Sequence, residues 1–115
     1  MLIGRKELWD LHDLLEQLTN FIRLLDGKEL PYFYHCFDAM KNNIELFQKM
    51  GGNDLERLYT VLERDWKASH RTFLGVQEYD LRDDHPDADL RVCLYFAGLV
   101  SRVERYFEEK TDFYA

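Results

Sequence analysis

The stretch DADLRVCLYFAGLVSRVERYF, residues 87–107, is the part of the sequence on which the predicted fold depends most. No charged side chain occurs from Val92 to Val100, and apolar groups point almost all round the predicted helix there. A helix that is apolar on every side must be covered on more than one side. The run is far shorter than the ~20 apolar residues that cross a bilayer, so we predict a core helix and no membrane partner.

This predicted fourth helix is more apolar than one corner of a helical bundle requires. Either it is central to the fold, or it carries an oligomer face as well as a core face. Ala97 and Gly98 would let a neighbouring backbone approach closely, which matters because a glycine inside a helix costs about 1 kcal/mol relative to alanine. The sequence therefore leaves open a homodimer formed through Val92–Val100.

Three amphipathic segments precede this helix. The first covers residues 6–25, the second begins at Pro31, and the third covers residues 54–73 after the break Gly51-Gly52. Asn53 and Glu56 have the spacing of a capping box at the start of the third. Apolar side chains recur every three or four residues in each segment, which predicts a buried stripe along one helix face. The stripe of the first segment is Leu8, Leu11, Leu15, Leu18, Ile22 and Leu25. That of the second is Phe33, Phe37, Met40, Ile44 and Phe47, flanked by Leu46 and Met50. That of the third is Leu55, Leu58, Leu62, Trp66, Ser69 and Phe73.

Four such segments joined by two short breaks and one longer one predict an all-α fold. We expect an up-down-up-down four-helix bundle with a long acidic loop between helices 3 and 4. A length of 115 residues fits a single domain, residues 1–115. The hydrophobic share of 46% excludes a disordered chain.

The two cysteines and the beginning of the chain bear on where the protein acts. Cys36 and Cys93 both lie inside apolar runs, which is typical of buried thiols in a reducing compartment. The opening residues reach charge within five positions and contain no signal-peptide apolar region. The sequence therefore predicts a cytoplasmic protein.

Charge is concentrated in one short stretch. The net charge is −7, and residues 76–90 hold six acids against Arg82 alone. Phosphate contacts need basic surface, so we expect no nucleic-acid partner and favour a basic protein partner. Part of the stretch also has ordinary structural uses, since aspartates form turns and suit the start of a helix. The candidate partner-binding residues are Glu78, Tyr79, Asp80, Asp83, Asp84, Asp87 and Asp89, with Tyr79 as the aromatic anchor.

No pattern of a metal, cofactor or small-molecule site emerges from the sequence. The Glu-x-x-His pairs of di-iron bundles are absent, and the two cysteines form no Cys-x-x-Cys pair. Ser69 and His70 are neighbours in sequence and would diverge on a helix. We therefore predict no metal, no cofactor and no catalytic set. Four further residues are candidates for a second exposed surface, although core or rim packing explains them as well: Trp9, His12, Tyr32 and Tyr34.

One pair of residues suggests an alternative. Arg64 and His70 in RDWKASH have a spacing that resembles the Arg-x4-6-His motif of the HEPN ribonucleases, and Asp65 follows the arginine. The resemblance implies a helical bundle in which Arg64 and His70 act on RNA. Arg5 and His12, with six residues between them, also fit this motif.

The charge pattern and the lack of a catalytic set together favour a protein-interaction module. The function predicted is that of an inhibitor or an immunity or antitoxin-type protein that binds a basic protein through its acidic loop. The alternatives are the HEPN-like ribonuclease and a structural homodimer.

Overall fold

The computed structural model describes residues 4–25, 30–70 and 90–114, with residues 108–114 as backbone only. This part of the chain consists of four helices that pack against one another, which confirms the predicted all-α four-helix bundle. The up-down-up-down order stays a prediction. The predicted loop between helices 3 and 4 lies outside the described residues. The helices are α1 (Arg5–Leu25), α2 (Tyr32–Lys49), α3 (Leu55–Ala68) and α4 (Leu90–Tyr114).

Helices α1 and α2 each pack against two other helices. Helix α1 packs against α2 and α4, and α2 packs against α1 and α3. The stripe predicted for α1 is fully buried at four leucines, and Ile22 is 3% exposed, whereas Leu25 at its end is only partly buried. The same periodicity holds in α2, whose five predicted stripe residues are all buried. The fully buried α1 leucines are Leu8, Leu11, Leu15 and Leu18.

Aromatic rings join the ends of the bundle. Trp66 of α3 stacks on Phe107 of α4 with ring centres 4.9 Å apart and planes 3° from parallel. Phe96 of α4 meets both Phe21 of α1, at 5.9 Å, and Phe33 of α2, at 6.2 Å. Offset aromatic pairs contribute about 0.5–1.5 kcal/mol beyond the area they bury. These contacts attach α4 to more than one helix.

The turn between α2 and α3 uses three residues with a left-handed backbone. Gly51 and Gly52 have φ values of 92° and 69°, and Asp54 has a φ of 61°. Asp54 is the N-cap of α3, because its Oδ1 accepts a hydrogen bond from the Arg57 backbone N–H at 3.2 Å. The N-cap predicted at Asn53 was therefore wrong by one residue, because the cap is Asp54. An aspartate tolerates the left-handed region better than most residues, so the turn can extend to Asp54 before the helix begins.

The Arg5 side chain links this turn to the start of α1. Its Nη2 donates to the carbonyl oxygen of Gly52 at 2.7 Å, and its guanidinium lies 5.9 Å from the centre of the Phe47 ring. A Cβ at Gly52 would meet that guanidinium. The buried Gly52 thus gives both the left-handed backbone and the room that Arg5 needs.

Helix α4 differs from its prediction. It buries one stripe, and within the described residues its opposite face is uncovered: Leu90 is 58% and Leu94 is 63% exposed. No atom lies within 4 Å of a Cβ placed on Gly98, so the expected close approach of a backbone there is not made by the described chain. Of the two possibilities that the sequence left open, the described residues do not support a central α4, because only one of its stripes is buried. The buried stripe is Phe96, Leu99, Val103 and Phe107.

A matched pair of leucines on α1 tests this core. We expect Leu15→Ala to lower the free energy of unfolding by about 2–5 kcal/mol, because Leu15 is fully buried and its loss leaves a cavity. Leu24 is 86% exposed, so Leu24→Ala should change stability by less than about 0.5 kcal/mol. Urea unfolding followed by circular dichroism measures both. Equal effects of the two substitutions would contradict the assigned stripe.

Candidate functional site

Some of the candidate site residues from the sequence lie within the described part of the chain, and others lie outside it. The acidic loop lies outside the described residues, so its proposed contacts stay predictions. Both cysteines are thiols, with Cys36 buried and Cys93 partly buried. The loop residues concerned are Glu78, Tyr79, Asp80, Asp83, Asp84, Asp87 and Asp89.

Arg64 and His70, the pair that resembles a ribonuclease motif, have different surroundings. The Arg64 side chain is 68% exposed, and its Nη2 donates to Asp65 Oδ1 at 3.3 Å. The His70 ring lies against Trp66 with centres 4.1 Å apart. Its Nδ1 is 3.0 Å from the Trp66 carbonyl oxygen and 2.9 Å from the Ser69 hydroxyl, so the prediction that Ser69 and His70 diverge was wrong. Arg64 therefore extends into solvent, whereas His70 leans towards the core-facing side of α3.

The most concentrated group of ionisable side chains in the described residues surrounds His12 on α1. His12 lies at the boundary with α2 and is 9% exposed. Its Nε2 is 3.0 Å from Glu45 Oε2 on α2, and its Nδ1 is 3.4 Å from Asp13 Oδ1 on α1. Glu16 lies beside them, with one ligand atom each of His12, Asp13 and Glu16 mutually within 4.8 Å. We call His12, Asp13, Glu16 and Glu45 the His12 cluster.

The Glu45 carboxylate faces Nε2 of the His12 ring. An ionised carboxylate only accepts hydrogen bonds, so the Nε2–H of His12 donates to Glu45. This hydrogen bond lowers the pKa of the Glu45 carboxyl below its usual 4.5, with smaller electrostatic contributions from Lys41, His12 and Lys49. On the other side of the ring, Nδ1 faces an Asp13 oxygen at 3.4 Å. The His12 ring thus lies between two carboxylates.

The outward face of α1 next to this cluster is acidic. The side chains of Glu7, Asp10, Asp13 and Glu16 are exposed, and no lysine or arginine occurs from residue 7 to residue 22. Among the described residues, no lysine or arginine lies at ion-pair distance from these four acids. Trp9 is 43% exposed on the same face, and its ring meets His12 edge-on at 5.3 Å. We call these four acids and Trp9 the acidic α1 face.

The second exposed surface expected from the sequence was partly wrong. Tyr34 is buried at 6% exposure, His12 is buried, and Tyr32 is half-buried, whereas Trp9 is exposed as expected. His12 and Tyr34 turn inward because they lie at the flank where α1 meets α2, and Tyr34 also packs under the Arg23 guanidinium at 5.9 Å. The only local signal for the cluster was the run His-Asp-x-x-Glu, since Glu45 lies 33 residues away.

An apolar groove of about 570 Å³ opens between α2 and α3. Leu46 and Met50 on its rim are 53% and 71% exposed, so neither belongs to the buried stripe of α2. Its polar margin is mixed, with Asp54 and Arg57 at one end. The mixed charges of this groove favour no particular class of ligand.

Comparison with known proteins gives no relative. No protein-family model, curated protein or solved structure matches this chain. Among the helices described, none has both the length and the apolar character that a membrane crossing requires. Functional proposals therefore rest on the residues of the chain itself.

The Glu45–His12 contact has a testable pH dependence. A lowered carboxyl pKa means that Glu45 stabilises the fold when ionised, so its contribution is complete above the usual pKa of 4.5. That contribution disappears as the pH falls through the lower pKa of the folded state. We expect Glu45→Gln to be less stable than the wild type at pH 6–7, and the difference to shrink by pH 3. Urea unfolding at several pH values measures it.

Asp10→Asn is the control for that series, because Asp10 is an exposed carboxylate on α1 with no ion pair among the described residues. Its stability should follow the wild type at every pH. A Glu45→Gln difference of constant size from pH 7 to pH 3 would show that the carboxylate charge is not responsible.

Proposed function

We propose that this chain is a small, cytoplasmic, acidic protein-interaction module that acts as an inhibitor or an immunity or antitoxin-type protein on a basic protein partner. The observation that supports this best is the acidic α1 face. It combines four exposed acids with a half-exposed tryptophan and has no lysine or arginine at ion-pair distance in the described chain.

Physical chemistry connects such a face to a basic partner. Uncompensated carboxylates attract a cationic surface over a distance and raise the association rate, and a few desolvated pairs then provide affinity. Trp9 would add an aromatic contact to this electrostatic attraction. Exposed tryptophans are frequent binding hot spots, and an arginine guanidinium stacks favourably on an indole face. The acids would select the partner by charge, and Trp9 would anchor it.

The predicted acidic loop extends the same proposal. Its six acids carry most of the net charge of −7, and Tyr79 would be a second aromatic anchor. The acidic α1 face and the loop are separate parts of the sequence, so substitutions can test them independently. The loop residues proposed for partner binding are Glu78, Tyr79, Asp80, Asp83, Asp84, Asp87 and Asp89.

The test is capture of partners from native lysate, identification by mass spectrometry, and affinity measurement with the purified partner. One variant changes the six loop acids to amides, a second combines Asp10→Asn, Asp13→Asn and Glu16→Gln, and a third is Trp9→Ala. We expect a basic partner and weaker binding at high salt. The α1 variants should lose at least about tenfold in affinity, because a lost hot-spot contact costs about 2 kcal/mol or more.

Leu24→Ala is the control for Trp9→Ala, since both are exposed apolar side chains on α1 but Leu24 is not part of the acidic α1 face. It should leave affinity unchanged. A loss in the loop variant alone would move the interface to the loop. Binding that survives all three variants, or an acidic partner, would refute the proposal.

A homodimer through α4 is the second candidate. It is supported by Leu90 and Leu94, which are exposed, and by the open space beside Gly98 within the described chain. Leu, Ala and Gly at helical spacing form a face on which a second helix can lie closely. This dimer would use α4 and leave the acidic α1 face available.

Sedimentation at several concentrations tests the dimer. We expect Leu94→Glu to shift the chain to a monomer, because a charge in an apolar interface is buried without a partner. Leu24→Glu introduces the same charge at an exposed position on α1 and should leave the mass unchanged. A wild-type chain that is monomeric at every concentration would exclude this candidate.

The ribonuclease alternative also stays a prediction. It would require Arg64 and His70 to act on one RNA substrate. Arg64 pairs with Asp65, and His70 packs on Trp66. These contacts do not bring the Arg64 and His70 side chains together. The acidic surface would also repel phosphate.

A further inference from the structure

We propose that the apolar groove between α2 and α3 is the contact surface for a second copy of this chain, related to the first copy by a two-fold axis. The proposal uses described residues alone and is independent of the basic partner proposed above. It also differs from the α4 dimer, because the groove and the exposed face of α4 belong to different helices.

The groove exposes apolar surface that the described chain leaves uncovered. Leu46 and Met50 lie about one turn apart on the α2 side of the groove and are 53% and 71% exposed. The buried side chains of Phe47 and Leu58 also line the groove, and Val61 borders it on α3. A concave apolar patch of this kind is typical of a protein contact site, because a partner removes it from water.

The charges at the margin of the groove indicate which partner fits. Asp54 and Arg57 are both exposed and lie about 4.5 Å apart along the axis of α3. Neither makes an ion pair within the described residues. One acid and one base select neither a purely acidic nor a purely basic ligand. A second copy rotated by 180° presents the same pair in reverse order, so Asp54 of each copy would face Arg57 of the other.

The apolar residues fit the same symmetry. In a two-fold contact, residue i of one copy meets residue j of the other, and j meets i. Leu46 and Met50 are about 6 Å apart along α2, so rotation about an axis midway between them places Leu46 of each copy against Met50 of the other. The midpoint of this pair and that of Asp54 and Arg57 both lie close to the turn that joins α2 to α3. One two-fold axis, perpendicular to both helices, can therefore pass through both midpoints.

Met50 is the side chain that would enter the groove of the other copy. Methionine is unbranched and polarisable, so it adapts to irregular apolar surfaces and is frequent at binding surfaces. Each groove of about 570 Å³ would then be covered by Met50 of the other copy. The groove lies where α2 meets α3, whereas Glu45 of the His12 cluster lies where α2 meets α1, so this contact would leave the acidic α1 face open.

The experiment is NMR of the full chain, labelled on its methionine and leucine methyl groups, over a series of concentrations. The contact is small and lies near one end of the bundle, so we expect a weak dimer that forms at high concentration. The Met50 and Leu46 methyl signals should shift with concentration and show nuclear Overhauser effects between labelled and unlabelled copies. Met40 is fully buried, so its methyl signal should stay constant. The Leu94 signals report separately on contact through α4.

Substitutions test the symmetry of the contact. Met50→Glu should abolish these effects because it would bury a charge in the apolar contact, whereas Leu24→Glu on the exposed side of α1 should not. Arg57→Glu and Asp54→Lys should each weaken the dimer at least about tenfold, because like charges then face each other twice. An equal mixture of these two variants should associate again, since each substituted position then faces an opposite charge. Circular dichroism confirms that each variant is folded.

Three results would overturn the proposal. Methyl signals of the groove that stay constant at every concentration would leave the groove to a different partner. Concentration shifts at Leu94 without shifts at Met50 would place the contact on α4. Association of Met50→Glu equal to that of the wild type would show that the groove is not the contact. None of these results bears on the basic partner, so the two proposals are judged separately.

Discussion

The packing of the α1 leucine stripe against two helices is the contact on which the rest of the described structure depends. Leu8, Leu11, Leu15 and Leu18 are fully buried because α2 covers one side of the stripe and α4 the other. Helix α3 reaches the core through α2, and Trp66 then stacks on Phe107 of α4. Without the stripe, α2 and α4 would each lose a packing partner, because α1 contacts both.

The two sides of helix α1 differ in burial and in charge. Its inner face is apolar and fully used in packing, so its outer face is under no packing constraint. The acidic α1 face lies on this outer side, and the His12 cluster lies on the flank towards α2. The four acids of the acidic α1 face have no lysine or arginine at ion-pair distance in the described chain. Near the His12 cluster, by contrast, Lys41 and Lys49 help to lower the pKa of Glu45.

The sequence predicts the helices and their stripes well because burial imposes a period that local residues display. The α1 and α2 stripes follow from that period, as does the break at Gly51-Gly52. The cap was misassigned by one residue because φ at Asp54 depends on the turn, not on residue preference alone. The sequence left two possibilities for α4 open, because apolar residues indicate that a face should be covered but not which neighbour covers it. The His12–Glu45 pair could not be predicted, since only tertiary packing joins residues 33 positions apart.

Native-state hydrogen exchange by NMR tests the central role of α1 most directly. Backbone amides exchange by local or global opening, and the slowest belong to the elements that hold the fold together. The structure predicts that amides from Leu11 to Leu18 exchange only through global unfolding, and that α3, which packs mainly against one helix, opens at lower free energy. If α1 exchanged faster than α3, the leucine stripe would not be the contact on which the fold depends.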